Sequence, residues 1–128
     1  LQLNDHVKVF GSLQGERLND IYKAADIFVL PSICNESAPM VIAEAFAAAL
    51  PIISFRTDGI EERIRDQNNG LLVSMGDVKS FAEQIDKLLI DDNLYALLSD
   101  QAQKYATENM SSKKMTQKYI NLYSEVLT

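Results

Sequence analysis

The run Ile27-Phe28-Val29-Leu30 is apolar throughout and β-branched or aromatic at three of its four positions. Its length and content suit a strand buried on both faces of a parallel sheet. The next residues constrain the chain further. The segment Pro31-Ser32-Ile33-Cys34-Asn35-Glu36-Ser37-Ala38 reads as a loop. Pro39 is a natural first helical residue, and residues 40–49 are good helix formers. The chain therefore leaves the C-terminal edge of a strand, carries Glu36 across a loop, and enters a helix bearing Glu44. In open parallel sheets that edge is where ligands bind.

The charge pattern narrows the possibilities. Between Ser37 and Phe55 the sole charged side chain is Glu44, set among Ala43, Ala45, Phe46, Ala47 and Ala48. Burying that carboxylate without a partner is costly, so it faces water, pairs with an arginine, or serves a ligand. The helix start between Glu36 and Glu44 offers unpaired backbone N–H groups from about Met40 onward, and with the positive end of the helix dipole these favour a phosphate. A phosphate flanked by two hydroxyl-accepting carboxylates describes a nucleotide-sugar, with ribose on one side and donor sugar on the other.

The rest of the chain alternates. Residues 7–10 read as a short strand ended by Gly11, and residues 16–25 as a helix with Leu18, Ile21, Tyr22 and Ala25 on one face. After the motif helix come a strand at 51–55, a loop at 56–59 leaving the same sheet edge, a short helix over 60–65, and a tight turn at Asn69-Gly70 into a strand at 71–73. This is the doubly wound pattern of an α/β fold with a parallel sheet. Asp77 is the expected N-cap of a helix to about Ile90 with a stripe of Phe81, Ile85, Leu88 and Leu89. A second helix covers about 94–108. Ser111 or Ser112 caps a third, with Met115, Tyr119, Leu122, Tyr123 and Val126 on one face.

With 128 residues the chain is long enough for one domain with a real core. A net charge of −6 argues against a nucleic-acid binder, and no apolar run is long enough to span a membrane. The N-terminus, without an initiator Met or signal-peptide pattern, reads as cut from something longer. The single cysteine, Cys34, excludes an internal disulfide, suits a reducing cytoplasm, and reads as a small packing group. With one His and no clustered Asp-x-Asp, no metal is suggested, and His6 is read as incidental.

Glu36, seven intervening residues and Glu44, continued by Ala45-Phe46-Ala47-Ala48-Ala49-Leu50-Pro51-Ile52-Ile53, resembles the signature of the retaining glycosyltransferase family 4, also called group 1, of GT-B architecture. Val9-Phe10-Gly11, Leu18, Tyr22 and Ala25 through Ser32 are similar to the family's run into the site. Asp58-Gly59-Ile60-Glu61-Glu62 and Asn69-Gly70-Leu71-Leu72-Val73 are similar to the family's run out of it. The resemblance covers roughly residues 7 to 90. It departs at Ala49, where members often have Gly, and at Ser37-Ala38-Pro39, where they often have a Gly-rich turn; Pro39 cannot donate an N–H.

The resemblance implies that residues 1–128 are part of a Rossmann-like C-terminal, donor-binding domain of a GT-B enzyme, truncated at its N-terminal side and ending in a helical tail. The implied reaction moves a sugar from a nucleotide-diphosphate sugar to a glycan or lipid acceptor with retention, and needs no cofactor. Glu36 would meet the donor sugar's hydroxyls as the catalytic-site acid, and Glu44 the ribose diol. Amides near Ser37, Ala38, Met40 and Val41 would hold the diphosphate, and Gly11 would lie beside the base. The acceptor-binding N-terminal domain and a basic Arg and Lys pair fall outside this sequence. Arg56, Arg63 and Arg65 read as solvated rather than as substitutes. The isolated chain is therefore expected to be inactive, and its last helix to be exposed or covered by another copy. A cytoplasmic location is expected, with the inner membrane face open to the parent. A nucleotide-sugar epimerase of the same architecture and a non-catalytic nucleotide-binding α/β module remain the alternatives. The donor base, the sugar and the acceptor, whether lipopolysaccharide, exopolysaccharide or another glycan, stay open.

Overall fold

In the computed structural model, which describes residues 3–35, 37 and 39–127, six helices accompany a three-stranded parallel sheet among the described residues. The order is α1 (Glu16–Ala24), β1 (Phe28–Leu30), α2 (Met40–Ala47), β2 (Ile52–Phe55), α3 (Asp58–Glu61), β3 (Leu71–Val73), α4 (Val78–Ile90), α5 (Asp92–Asn109) and α6 (Ser112–Val126). The strands lie in sequence order with β2 central. Leu30 is opposite Ser54, and Phe55 opposite Val73.

Every residue of β2 is buried, as suits a strand with Ile52, Ile53 and Phe55 enclosed by helices on both faces. Because side chains alternate across a strand, β2 feeds two cores. Ile52, with Leu72, packs against Ile42, Ala45 and Phe46 of α2, Ile60 and Ile64, and Ala102 and Ala106 of α5. Ile53 and Phe55, with Leu71 and Val73, pack against Phe81 and Leu88 of α4 and Leu98 of α5. Phe55 and Phe81 meet edge to face, 4.9 Å between centroids. Helix α5 thus touches both layers. Buried Ser54 is satisfied by its hydroxyl donating to a backbone carbonyl, with Leu30 O at 3.0 Å and Phe55 O at 3.1 Å.

The turn from α2 to β2 explains Ala49. Its φ is +59°, the left-handed region that disfavours a Cβ. Ala49 N–H donates to Phe46 O and Leu50 N–H to Ala45 O, both at 3.0 Å. That pair is the Schellman arrangement, and Pro51 comes directly after it. Ser99 of α5 donates its hydroxyl to Ala49 O at 2.8 Å, tying α5 to the turn.

Before β3, Asn69 is a buried staple: its Oδ1 accepts from Arg65 N–H at 2.7 Å, and its Nδ2 donates to Arg63 O at 3.1 Å. Gly70 is needed for close approach. A Cβ there would stand 2.8 Å from Ile64 Cγ2 and 3.0 Å from Ile52 O.

Several expectations change. Residues 7–10 form no strand; Val9 is 88% exposed, and among the described residues no ladder partner holds the segment, because β1 pairs with β2 alone. Helix α3 begins at Asp58 and ends at Glu61, leaving Arg65 in the loop that Asn69 staples. Helix α5 begins at Asp92, because Asp91 supplies the cap through Leu94 N–H. Leu89 is exposed while Phe81 and Leu88 are buried, since the α4 stripe is narrower than its apolar content. The α6 residues Met115, Tyr119, Leu122, Tyr123 and Val126 are all exposed. Asp77 and Ser111 cap α4 and α6 as expected.

Two substitutions should move stability in opposite directions. Gly70→Ala forces a Cβ onto a backbone carbonyl and should destabilise by about 1–3 kcal/mol. Ala49→Gly relieves the left-handed turn at some entropic cost and should stabilise by about 0.5 kcal/mol. Urea denaturation of the variants reads both; equal midpoints would contradict the geometry.

Candidate functional site

Because β1 and β2 run parallel, the loops that leave them emerge at one edge of the sheet. Asn35 and Ser37 from the loop after β1, and Asp58, Gly59 and Glu62 from α3 and its C-cap after β2, line a common depression of about 320 Å³. The expectation that both loops leave the same edge is met by this arrangement. Glu36 and Ala38 lie outside the described residues. Met40, exposed, opens α2 after Pro39, whose φ of −63° and ψ of 122° bring the extended loop into the helix. Ile42 N–H donates to Pro39 O at 3.3 Å. The N–H groups of Met40 and Val41 belong to the first turn, which a helix leaves without intrahelical acceptors.

Helix α2 buries Ile42, Ala45 and Phe46 and turns Met40, Glu44 and Ala47 outward. Glu44 is therefore exposed and has no arginine partner among the described residues. It lines a second depression, of about 460 Å³, with Asn19, Tyr22 and Lys23 of α1, Ala47 and Ala48, and Gln103 of α5. The Tyr22 hydroxyl donates to Glu44 Oε2 at 2.8 Å. Sequence reasoning placed Tyr22 on the apolar face of α1 and missed this bond. The signal was available in principle, since tyrosine on a core-facing stripe needs an acceptor for its tip. Burial, first, and then the Glu44 carboxylate push the Tyr22 phenol up to about 12.

The other expected residues are scattered around these two depressions. Gly11 is exposed with a φ of +69° and open space where a Cβ would stand. Cys34 is exposed rather than a packing group, with its Sγ 3.2 Å from Ser32 Oγ, because the loop stands clear of the sheet. Arg56 is not simply solvated: it bridges Glu61, at 2.5 Å, and Asp66, at 3.2 Å. Those pairings, the Glu61 hydrogen bond foremost, hold its guanidinium above the ordinary range. Asp66 also accepts from Leu72 N–H at 2.9 Å, so the same carboxylate ties β3 to the loop after β2. Arg65 lies over the Tyr105 ring, 5.9 Å from its centroid. The sheet-edge depression is thus lined by Asp58 and Glu62 with Asn35, Ser37 and Gly59, and Arg56, two residues before Asp58, is already paired.

A parallel sheet flanked by helices, with a depression at the C-terminal strand edge, is an open α/β arrangement, and the solved structures it superposes on are of the GT-B class. The profile of the family described as "Glycosyl transferases group 1" matches residues 1–105, and the chain belongs to that family. It is 31% identical over 127 residues to the D-inositol 3-phosphate glycosyltransferase of Salinispora tropica, covering 99% of this chain and 26% of that one. Among solved structures, the sucrose-phosphate synthase of Thermosynechococcus elongatus superposes with a TM-score of 0.88 at 26% identity, over 98% of this chain and 31% of that one. Anabaena HepE, solved in complex with UDP and glucose, superposes with a TM-score of 0.88 at 23% identity, over 96% of this chain and 33% of that one. The chain thus spans about a quarter to a third of these relatives' lengths. Among the described residues, no helix is long and apolar enough to cross a membrane.

The Tyr22 phenol offers a direct check. Its folded value lies above the ordinary 10, so its contribution to stability is complete below pH 10 and is lost as pH rises from 10 through about 12. Ultraviolet tyrosinate titration, with Tyr22→Phe as the subtraction control, should show one late-ionising tyrosine. Glu44→Gln should bring it down only partway, because burial, the largest single cause, remains. A Tyr22 that ionises at 10 would contradict the contact.

Proposed function

We propose that this chain is the donor-binding part of a retaining, family 4 glycosyltransferase that moves a sugar from a nucleotide-diphosphate sugar to a glycan or lipid acceptor. The observation that carries the reading is the depression where the loops after β1 and β2 meet. It lies on the path by which a Glu36–Glu44 segment enters α2, in a chain of the group 1 family. HepE, a fold neighbour, has been solved with UDP-glucose, which supports a nucleotide-sugar as the ligand class.

In this reading Glu36 accepts hydrogen bonds from hydroxyls of the donor sugar and Glu44 from the ribose diol; a carboxylate suits both, having two acceptor oxygens. Amides of Ser37, Ala38, Met40 and Val41 receive the diphosphate at the positive end of α2. Gly11 has the weakest assignment, beside the base. Negative charge grows on the departing diphosphate as the sugar–oxygen bond breaks. Amides fixed by the helix start stabilise that charge without reorganising. The acceptor hydroxyl attacks on the face the diphosphate leaves, and the leaving phosphate takes its proton, so configuration is retained without a covalent sugar on Glu36. The acceptor is met by other parts of the full-length protein, which acts in the cytoplasm. Residues 1–128 transfer no sugar alone.

In the full-length protein, Glu44→Gln should weaken donor binding about 10–100-fold, the cost of a charged hydrogen-bond pair. Glu36→Gln should lower turnover by at least about 100-fold with the melting temperature unchanged. Transfer assays with UDP-, GDP- and ADP-sugars test this. A Glu36→Gln enzyme of normal turnover would overturn the assignment, and donor conversion without acceptor would indicate an epimerase.

A further inference from the structure

We propose that Tyr22 is a positioning residue for ribose recognition: its hydroxyl holds one oxygen of Glu44 so that the other oxygen is presented to the ribose diol. The inference rests on the assignment of Glu44 to the ribose. Its own support is geometric.

Glu44 stands on an outward stripe of α2, where a glutamate side chain samples many rotamers, and fixing one carries an entropic cost. The 2.8 Å bond from Tyr22 removes much of that freedom before any ligand arrives. Tyr22 is itself fixed. Its ring is half-buried and stacked on Phe28, 5.8 Å between centroids and 30° between planes. Phe28 opens β1, the strand from which the loop carrying Glu36 departs. The hydroxyl is therefore the tip of an arm anchored in the same core as the sheet edge.

The donor type also matters. A guanidinium would occupy both carboxylate oxygens and cancel the charge. A phenol carries one hydrogen, takes one oxygen, and leaves the charge in place. Among the described residues Glu44 receives that hydrogen bond alone and has no ion pair, although Lys23 lines the same depression. Glu44 lines a space of about 460 Å³ together with Asn19 and Gln103. Glu44 lies about 6 Å along the α2 axis from Met40, at the helix start proposed for the diphosphate.

The test is calorimetric titration of the full-length protein and its Tyr22→Phe variant with UDP, GDP and ADP and with their 2′-deoxy counterparts. Phenylalanine keeps the ring stack and removes only the hydroxyl. The expected result is a loss of about 3–10-fold for the ribonucleotide that binds best, with little or no loss for its 2′-deoxy form. A loss equal for both forms, or none for either, would overturn the role of Tyr22 while leaving the donor-site reading intact. If the unaltered protein binds none of the diphosphates, or does not discriminate ribose from deoxyribose, the Glu44 reading fails and this inference fails with it.

Discussion

The burial of β2 on both faces is the constraint on which the rest of the structure depends. Ile52 and Ile53 point to opposite helical layers, so neither layer can shift without exposing a strand whose every residue is enclosed. With β1 and β3 both parallel to β2, each strand finishes at the same edge, and the connecting loops must converge there. Small features keep the edge in register. The Ser54 hydroxyl reaches the carbonyl of Leu30, the last residue of β1, and the Schellman turn at Ala49 returns the chain from α2 to the sheet within four residues. The site is thus a consequence of topology before it is one of side-chain chemistry.

That convergence gives the site an unusual charge balance. The residues lining the sheet-edge depression are acidic or neutral, and Arg56 beside them is engaged by Glu61 and Asp66. An anionic ligand would therefore rely on backbone amides and the α2 dipole within this chain, with carboxylates left to accept from hydroxyls. The division suits a ligand whose charge is concentrated at one point and whose remaining surface is a row of hydroxyl donors. The Arg56 pairs contribute to shape more than to ligand charge, since exposed ion pairs are worth little in stability but here join the loop after β2 to the end of α3 and to the loop before β3.

Much of this was legible in the chain because it is local. The apolar runs at β1, β2 and β3, Pro39 before α2, and the caps Asp77 and Ser111 all speak through nearest neighbours in sequence. What could not be read depends on contacts distant in sequence. Residues 7–10 carry a strand's composition, but a strand exists only with a partner, and none stands beside them among the described residues. Tyr22 and Glu44 are 22 residues apart, and nothing in either local pattern announces that α1 and α2 bring them together. Asn69 looks like a turn residue and is a buried staple, because its amide satisfies the loop's own backbone. Ala49 adopts the left-handed conformation that glycine takes without strain, which an alanine in a run of alanines does not announce.

The most direct measurement is hydrogen–deuterium exchange of the full-length protein with and without saturating UDP-, GDP- or ADP-sugar. The account predicts that the donor slows exchange in peptides covering 31–44 and 56–62, with a smaller effect over 19–25. Slowed exchange confined to α5 and α6, or no change with any donor at saturation, would contradict it.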